Sequence, residues 1–314
     1  MVPTSQGTSV LDQTVLVASP TGGVFRSTNG GVSFTQVSGT SGVGDAIDND
    51  ADGSTDEVGE LNLPNGGAFH LVPDPGNANR FYAAIPGQGV FRSDNNGQNW
   101  LQVNGTGGNV VAGVAGSSRM ELSVQGGVVY AAVLATGVAP PGNFTERVTG
   151  VFKSTDAGAN WRLIQNMVQP VVSGQGFWHF AIAADPTNVN VFFIAGDVAA
   201  AGVQRVVTND GDPTMDAWAS VRGAGANGTD VHDDMKDLIF DDNNDLLLST
   251  DGGIYRLDEP NNAGVRTWAS VNGNMRPTEF YSVGWDSLND TLIGGAQDNG
   301  SPRQSGFLSF NWDV

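Results

Sequence analysis

The chain has 314 residues, with 14 Lys and Arg against 33 Asp and Glu, a formal net charge of −19, and no Cys. Nucleic-acid binding and docking on anionic lipid both draw on basic surface, so this balance argues against either, and the missing thiols exclude disulfides, thiolate zinc centres and Cys nucleophiles. Hydrophobic residues make up 39%, enough for a large core, yet no apolar run approaches the roughly 20 residues that span a bilayer.

Residues 1–7 have neither a basic n-region nor an apolar h-region, so no leader is visible, and the chain reads as either cytoplasmic or already processed. Gly accounts for 44 positions. Spread evenly among Val, Asn, Thr and Ser, with no stretch of helical periodicity, it points to short strands and tight turns, an all-β class. The run GVFRS at 23–27 returns at 89–93 and, as GVFKS, at 150–154; GIYR at 253–256 and GVQR at 202–205 are looser copies. Three of these runs lead into an eight-residue turn, carrying Ser27, Asn29, Gly31 and Phe34, then Ser93, Asn95, Gly97 and Trp100, then Ser154, Asp156, Gly158 and Trp161. In each, the Ser and Asn or Asp side chains suit the backbone N–H groups of the turn, and Gly supplies positive φ. The closing aromatic is large enough to bury the hairpin. Later repeats keep only the aromatic, as Trp218, Trp268 and Trp312. Intervals between the six rings fall from 66 to 44 residues, the shortest matching one four-stranded propeller blade. The expectation is a single β-propeller domain over 1–314. About six antiparallel blades, strands A to D, are visible, with the serine turn joining C to D. Either they belong to a larger ring or residues 9–12 supply the closing strand.

Between the first two repeats, residues 41–62 form an acidic insertion. Counted from Asp48, carboxylates fall at loop positions 1, 3, 5 and 9 (Asp48, Asp50, Asp52, Asp56), with Gly53 at position 6. That is the alternation of an acidic calcium loop, in which Ser54 adds a carbonyl and Glu57 or Glu60 stands in for the absent acid at position 12. The prediction is a structural Ca2+ that pins a long loop; the alternative is a solvated acidic loop.

The turns resemble the Asp-box, or BNR repeat, of sialidases, sortilin-type receptors and xyloglucanase-type glycoside hydrolases. The C-terminal third is similar to a secreted bacterial branch of that superfamily, through VHDDMKDLIF at 231–240, STDGGIYR at 249–256, EFYSV at 279–283 and GGAQDNGS at 294–301. The resemblance implies the propeller fold, while leaving chemistry open, since one fold hosts many functions.

Meander geometry places the B–C and D–A connections on the face opposite the serine turns. The insertions at 39–66 and 136–148, and the candidates Asp230, His232, Asp233, Asp234, Asp251, Gln297 and Asp298, belong to that face, the expected functional one. A sialidase-like site needs three Arg and a Tyr–Glu pair. Arg26, Arg92 and Arg256, with Lys153, recur at one repeat position and so read as structural; Glu279 beside Tyr281 is the remaining option. A xyloglucanase-like site needs two carboxylates, for which Asp234 and Asp298 are the first pair. His70 and His179 read as core residues, although an aromatic channel mouth suits sugar stacking. The preferred function is a non-enzymatic, calcium-stabilised binding or assembly module, extracellular or at the cell surface. Its expected partner is carbohydrate or protein, self-assembly included. The alternative is a glycoside hydrolase acting on polysaccharide.

Overall fold

The computed structural model describes residues 2–3, 13–38, 63–64, 66–137, 145–167, 172, 174–198, 202–275, 280–296, 300–309 and 311–313. The acidic loop with Asp48, Asp50, Asp52, Ser54, Asp56 and Glu57 lies outside these residues, as do residues 9–12, Glu279, Gln297 and Asp298.

Six antiparallel sheets follow one another along the chain, each an up-and-down meander of four strands in sequence order. Sheet 1 comprises Val2–Pro3, Val15–Ser19, Gly23–Ser27 and Thr35–Gln36; sheet 2 comprises His70–Asp74, Asn77–Ile85, Gly89–Ser93 and Leu101–Gln102. Sheet 3 is built from Ser117–Gln125, Val128–Gly137, Thr145–Ser154 and Arg162–Leu163, and sheet 4 from Phe180–Ala184, Val191–Gly196, Val203–Val207 and Ala217–Ser220. Sheet 5 has Met235–Phe240, Leu246–Thr250, Gly253–Asp258 and Thr267–Ser270, and sheet 6 has Phe280–Asp286, Thr291–Ala296, Arg303–Gln304 and Trp312–Asp313. A two-stranded ribbon, Gly105–Thr106 with Asn109–Val110, follows sheet 2.

The first strands of sheets 2 to 5 stand side by side and enclose a cavity of about 230 Å3, lined by His70, Leu122, Ile182 and Asp237 among others. Apolar layers join consecutive sheets. Leu16 and Val24 of sheet 1 pack with Phe81 and Phe91 of sheet 2, and Tyr130 of sheet 3 packs with Phe192 of sheet 4. Every residue of Val191–Gly196 is buried, a continuous apolar run rather than an alternating one, because neighbouring sheets cover both faces.

The three serine turns share one hydrogen-bond pattern. The hydroxyls of Ser27, Ser93 and Ser154 accept from the N–H of Gly31, Gly97 and Gly158 at 2.9, 2.9 and 2.8 Å. Each hydroxyl donates to the side chain of Asn29, Asn95 or Asp156, which in turn accepts an N–H four residues further on. Two consecutive left-handed residues make the reversal: Gly30 and Gly31 (φ 67° and 91°), Asn96 and Gly97 (59° and 73°), Ala157 and Gly158 (59° and 93°). Ser154→Ala removes the acceptor from a buried N–H and is expected to cost about 1–3 kcal/mol in urea unfolding.

The closing rings depart from the sequence expectation at both ends. Trp100, Trp161 and Trp268 are buried and Trp218 half-buried, but Phe34 is 40% and Trp312 38% exposed. The reason is directional: each buried ring packs into the preceding sheet. The indole N–H of Trp161 donates to Val103 O, that of Trp218 to Gln165 O and that of Trp268 to Val221 O, each in the connection leaving the preceding sheet. Phe34 belongs to sheet 1, whose buried residues cluster only with those of the sheet 2 segment among the described residues. Sheet 6 joins none of the buried clusters among the described residues, and leaves Val283, Trp285 and Ile293 exposed.

The recurrent cations face forward. Arg26 Nε donates to Asn96 O and Arg92 Nη1 to Ala157 O, the same left-handed position of the next sheet's turn. Lys153 Nζ reaches Asp210, Asn190 and Thr208 of the sheet 4 segment, and Arg205 Nε reaches Asn261 beyond it. Arg256 instead bonds Asp258 within its own strand.

Candidate functional site

At the end of the stack opposite the serine turns, the segments that lead into the first strands converge with the turns between second and third strands. Phe69 precedes His70–Asp74, Phe177 to His179 precede Phe180–Ala184, and Asp230 to Asp234 precede Met235–Phe240. Asp251 occupies the turn between Leu246–Thr250 and Gly253–Asp258.

Trp178 is 68% exposed, unusual for so large a ring. Phe177 meets it edge-on with centroids 5.0 Å apart, and Phe69 meets Phe177 in the same manner at 5.2 Å. The segment is fixed from beneath. Arg119 Nη1 donates to Phe177 O and Nη2 to Phe180 O, both at 2.7 Å, and Glu146 accepts the N–H of Phe177. Such a braced aromatic offers flat apolar area with little side-chain entropy left to lose on binding.

Beside it, His179, Asp234 and Asp251 bring one donor atom each within 4.8 Å of one another. Asp234 holds φ 63°, a left-handed conformation that a side chain other than Gly adopts rarely, and Asx residues most readily. Lys236 Nζ contacts Asp251 Oδ1 at 2.8 Å. Burial, with Lys236 adding to it, holds His179 below the ordinary imidazole value against the opposing pull of Asp234, Asp251 and Asp197. Asp230 and Asp233 turn to Arg222, at 2.5 and 2.6 Å. His232 lies outside the triad. Its Nδ1 is 3.1 Å from Asp233 O, and its side chain crosses Gly252 so closely that a Cβ there would stand 2.5 Å from His232 Cβ.

Deeper in the channel, His70 Nδ1 meets Glu121 at 2.7 Å, and Arg119 Nε meets the other oxygen of Glu121 at 2.6 Å. Burial opposes charge on both partners, but the ion pair prevails, so His70 is held above and Glu121 below its ordinary value. Water reaches Asp237, yet the surrounding channel wall desolvates its carboxyl and pushes it up.

Of the residues singled out in the sequence, the structure unites Asp234 with Asp251, assigns Asp230 and Asp233 to Arg222, and leaves His232 adjacent. His179, read as a core residue, is buried but also faces Asp234 and Asp251, and Trp178 of the aromatic pair before it is exposed. An aromatic pair followed by His, placed directly before a strand, was the available signal.

No protein-family model and no curated protein matches the chain. Solved structures similar to it include an ancestral GH74 enzyme, 16% identical over 91% of this chain and 37% of that one, with a TM-score of 0.55. The GH74 xyloglucanase of Xanthomonas campestris is 19% identical over 93% and 42%, TM-score 0.54, and the GH74 enzyme of Niastella koreensis 16% over 96% and 42%, TM-score 0.52. The fold is a β-propeller. The sheets are its blades, and the cavity between the first strands of sheets 2 to 5 lies along the central channel, with Trp178, His179 and Asp234 in the segments that lead into two of those strands. The chain spans 37–42% of the length of these enzymes, and at such identity the likeness is one of fold alone. Among the described residues no helix is long and apolar enough to cross a membrane.

Proposed function

We propose that the chain is a non-catalytic recognition module of the Asp-box propeller group, working outside the cell or at its surface, which binds carbohydrate at the channel mouth. One observation carries this reading: Trp178, exposed and packed edge-on against Phe177, is followed directly in the chain by His179, which faces the carboxylates of Asp234 and Asp251. An aromatic platform flanked by a few polar groups is the composition of a sugar subsite. The carboxylates argue against hydrolysis at this triad. Oxygens of Asp234 and Asp251 within 4.8 Å of one another leave little room for the water that an inverting pair, roughly 6.5–9.5 Å apart, holds between its carboxyls. Asp230 and Asp233 share Arg222, and Oδ1 of Asp251 is paired with Lys236.

Affinity electrophoresis through gels containing single plant or bacterial polysaccharides tests the reading, run together with an assay for released reducing ends. Retardation without release is expected. Release that disappears in Asp234→Asn or Asp298→Asn establishes the hydrolase instead.

The acidic loop around Asp48, Asp50, Asp52, Ser54, Asp56 and Glu57 is proposed to hold a structural Ca2+, on the strength of its alternating carboxylates and Gly53. Calcium at a hundredfold excess over its dissociation constant is expected to stabilise the chain by about 2.7 kcal/mol. Absence of both calorimetric heat and a melting shift under chelator removes the loop from the account.

A further inference from the structure

His179 is anomalous among the residues of the mouth. Its side chain is 5% exposed, its Nδ1 has no hydrogen-bond partner, and its Nε2 stands 3.7 Å from Asp234 Oδ1, beyond hydrogen-bond reach. A buried polar group without a partner costs about 1–3 kcal/mol. The backbone of Asp234 adds strain by holding a carboxylate in the left-handed region. The Nε2 edge of the ring faces Asp234 between elements of two blades, where three potential metal-ligating side chains face each other.

We infer that His179, Asp234 and Asp251 form a binding site for a divalent first-row transition ion of the Zn2+ or Mn2+ kind. The donor set is one imidazole and two carboxylates, which matches such ions better than it matches calcium or magnesium, whose ligands are oxygens. The spacing fits within small side-chain movements. Two donors about 2.1 Å from one tetrahedral ion lie roughly 3.4 Å apart; His179 and Asp234 are at 3.7 Å, and Asp251 closes the remaining gap from within 4.8 Å. Lys236 holds only Oδ1 of Asp251, which leaves Oδ2 for the ion. The ammonium then acts as an outer partner that orients the ligand and lowers affinity by charge repulsion. Three protein ligands leave a coordination position for water or an external ligand. The site stands independently of whether carbohydrate is what Trp178 receives.

The test is isothermal titration of the full chain with ZnCl2, and Mn2+ binding followed by electron paramagnetic resonance, both with calcium in excess to saturate all-oxygen sites. One ion per chain is expected. Asp234→Asn, which suits the left-handed backbone, and His179→Gln are each expected to weaken binding by about 100-fold or more, at or beyond the 10–100-fold typical of outer-shell losses. Lys236→Met is expected to tighten it. No uptake by the unmodified chain, or uptake unchanged in Asp234→Asn, overturns the inference. If His179→Gln fails to fold, Asp251→Asn takes its place, and its binding must also fall.

Discussion

Trp161→Ala is expected to lower the free energy of unfolding by about 3–5 kcal/mol, read from urea denaturation. The ring is 2% exposed and belongs to the layer that joins sheets 2 and 3, with Tyr82, Val90 and Val103 on one side and Met120 and Leu122 on the other. Its N–H donates to Val103 O at 2.7 Å and to Gly158 O at 3.0 Å, so truncation also strips a partner from two carbonyls. Phe34→Ala is the matched control. It removes an aromatic from the same turn position, but one that is 40% exposed, and a change within about 0.5–1 kcal/mol is expected. Equal losses at the two positions would show that the rings act within their own hairpins, and the inter-blade account would fail.

Trp178→Ala is expected to weaken polysaccharide retention by roughly 30-fold, the ~2 kcal/mol of a binding hot spot, while leaving the melting temperature nearly unchanged. The two readouts separate because the ring is already 68% in solvent. Its neighbour Phe177 is held by Arg119 through the backbone and does not depend on the indole. Trp285→Ala, on sheet 6 and 56% exposed, is expected to leave retention intact. Loss in both variants would indicate non-specific stickiness of exposed aromatics rather than a subsite.

The repeat of Ser, Asn or Asp, Gly and aromatic made three of the hairpins legible, because the hydroxyl and Asx hydrogen bonds of such a turn close within eight residues. Exposure of Phe34 and Trp312 was not legible in that pattern, since the partner surface lies on another blade, and its presence or absence leaves no mark on the local sequence. The same limit applied at the mouth. Asp234 and Asp251 share one blade, and the meander alone brought them together. His179 comes from the blade before, and only the inter-blade packing of Met235 with the sheet 4 strands draws it near. Arg222 is a comparable case: a lone cation in a loop, whose hold on Asp230, Asp233 and the Val231 carbonyl organises the acidic run.

The forward-reaching cations at Arg26, Arg92 and Lys153 make each of sheets 1 to 3 a plug for the sheet that follows it. A copied segment therefore arrives with each half of its joint already encoded, the basic tip for its successor and a receptive turn for its forerunner. Tandem duplication or deletion of whole units can lengthen or shorten the array without inventing a new seam.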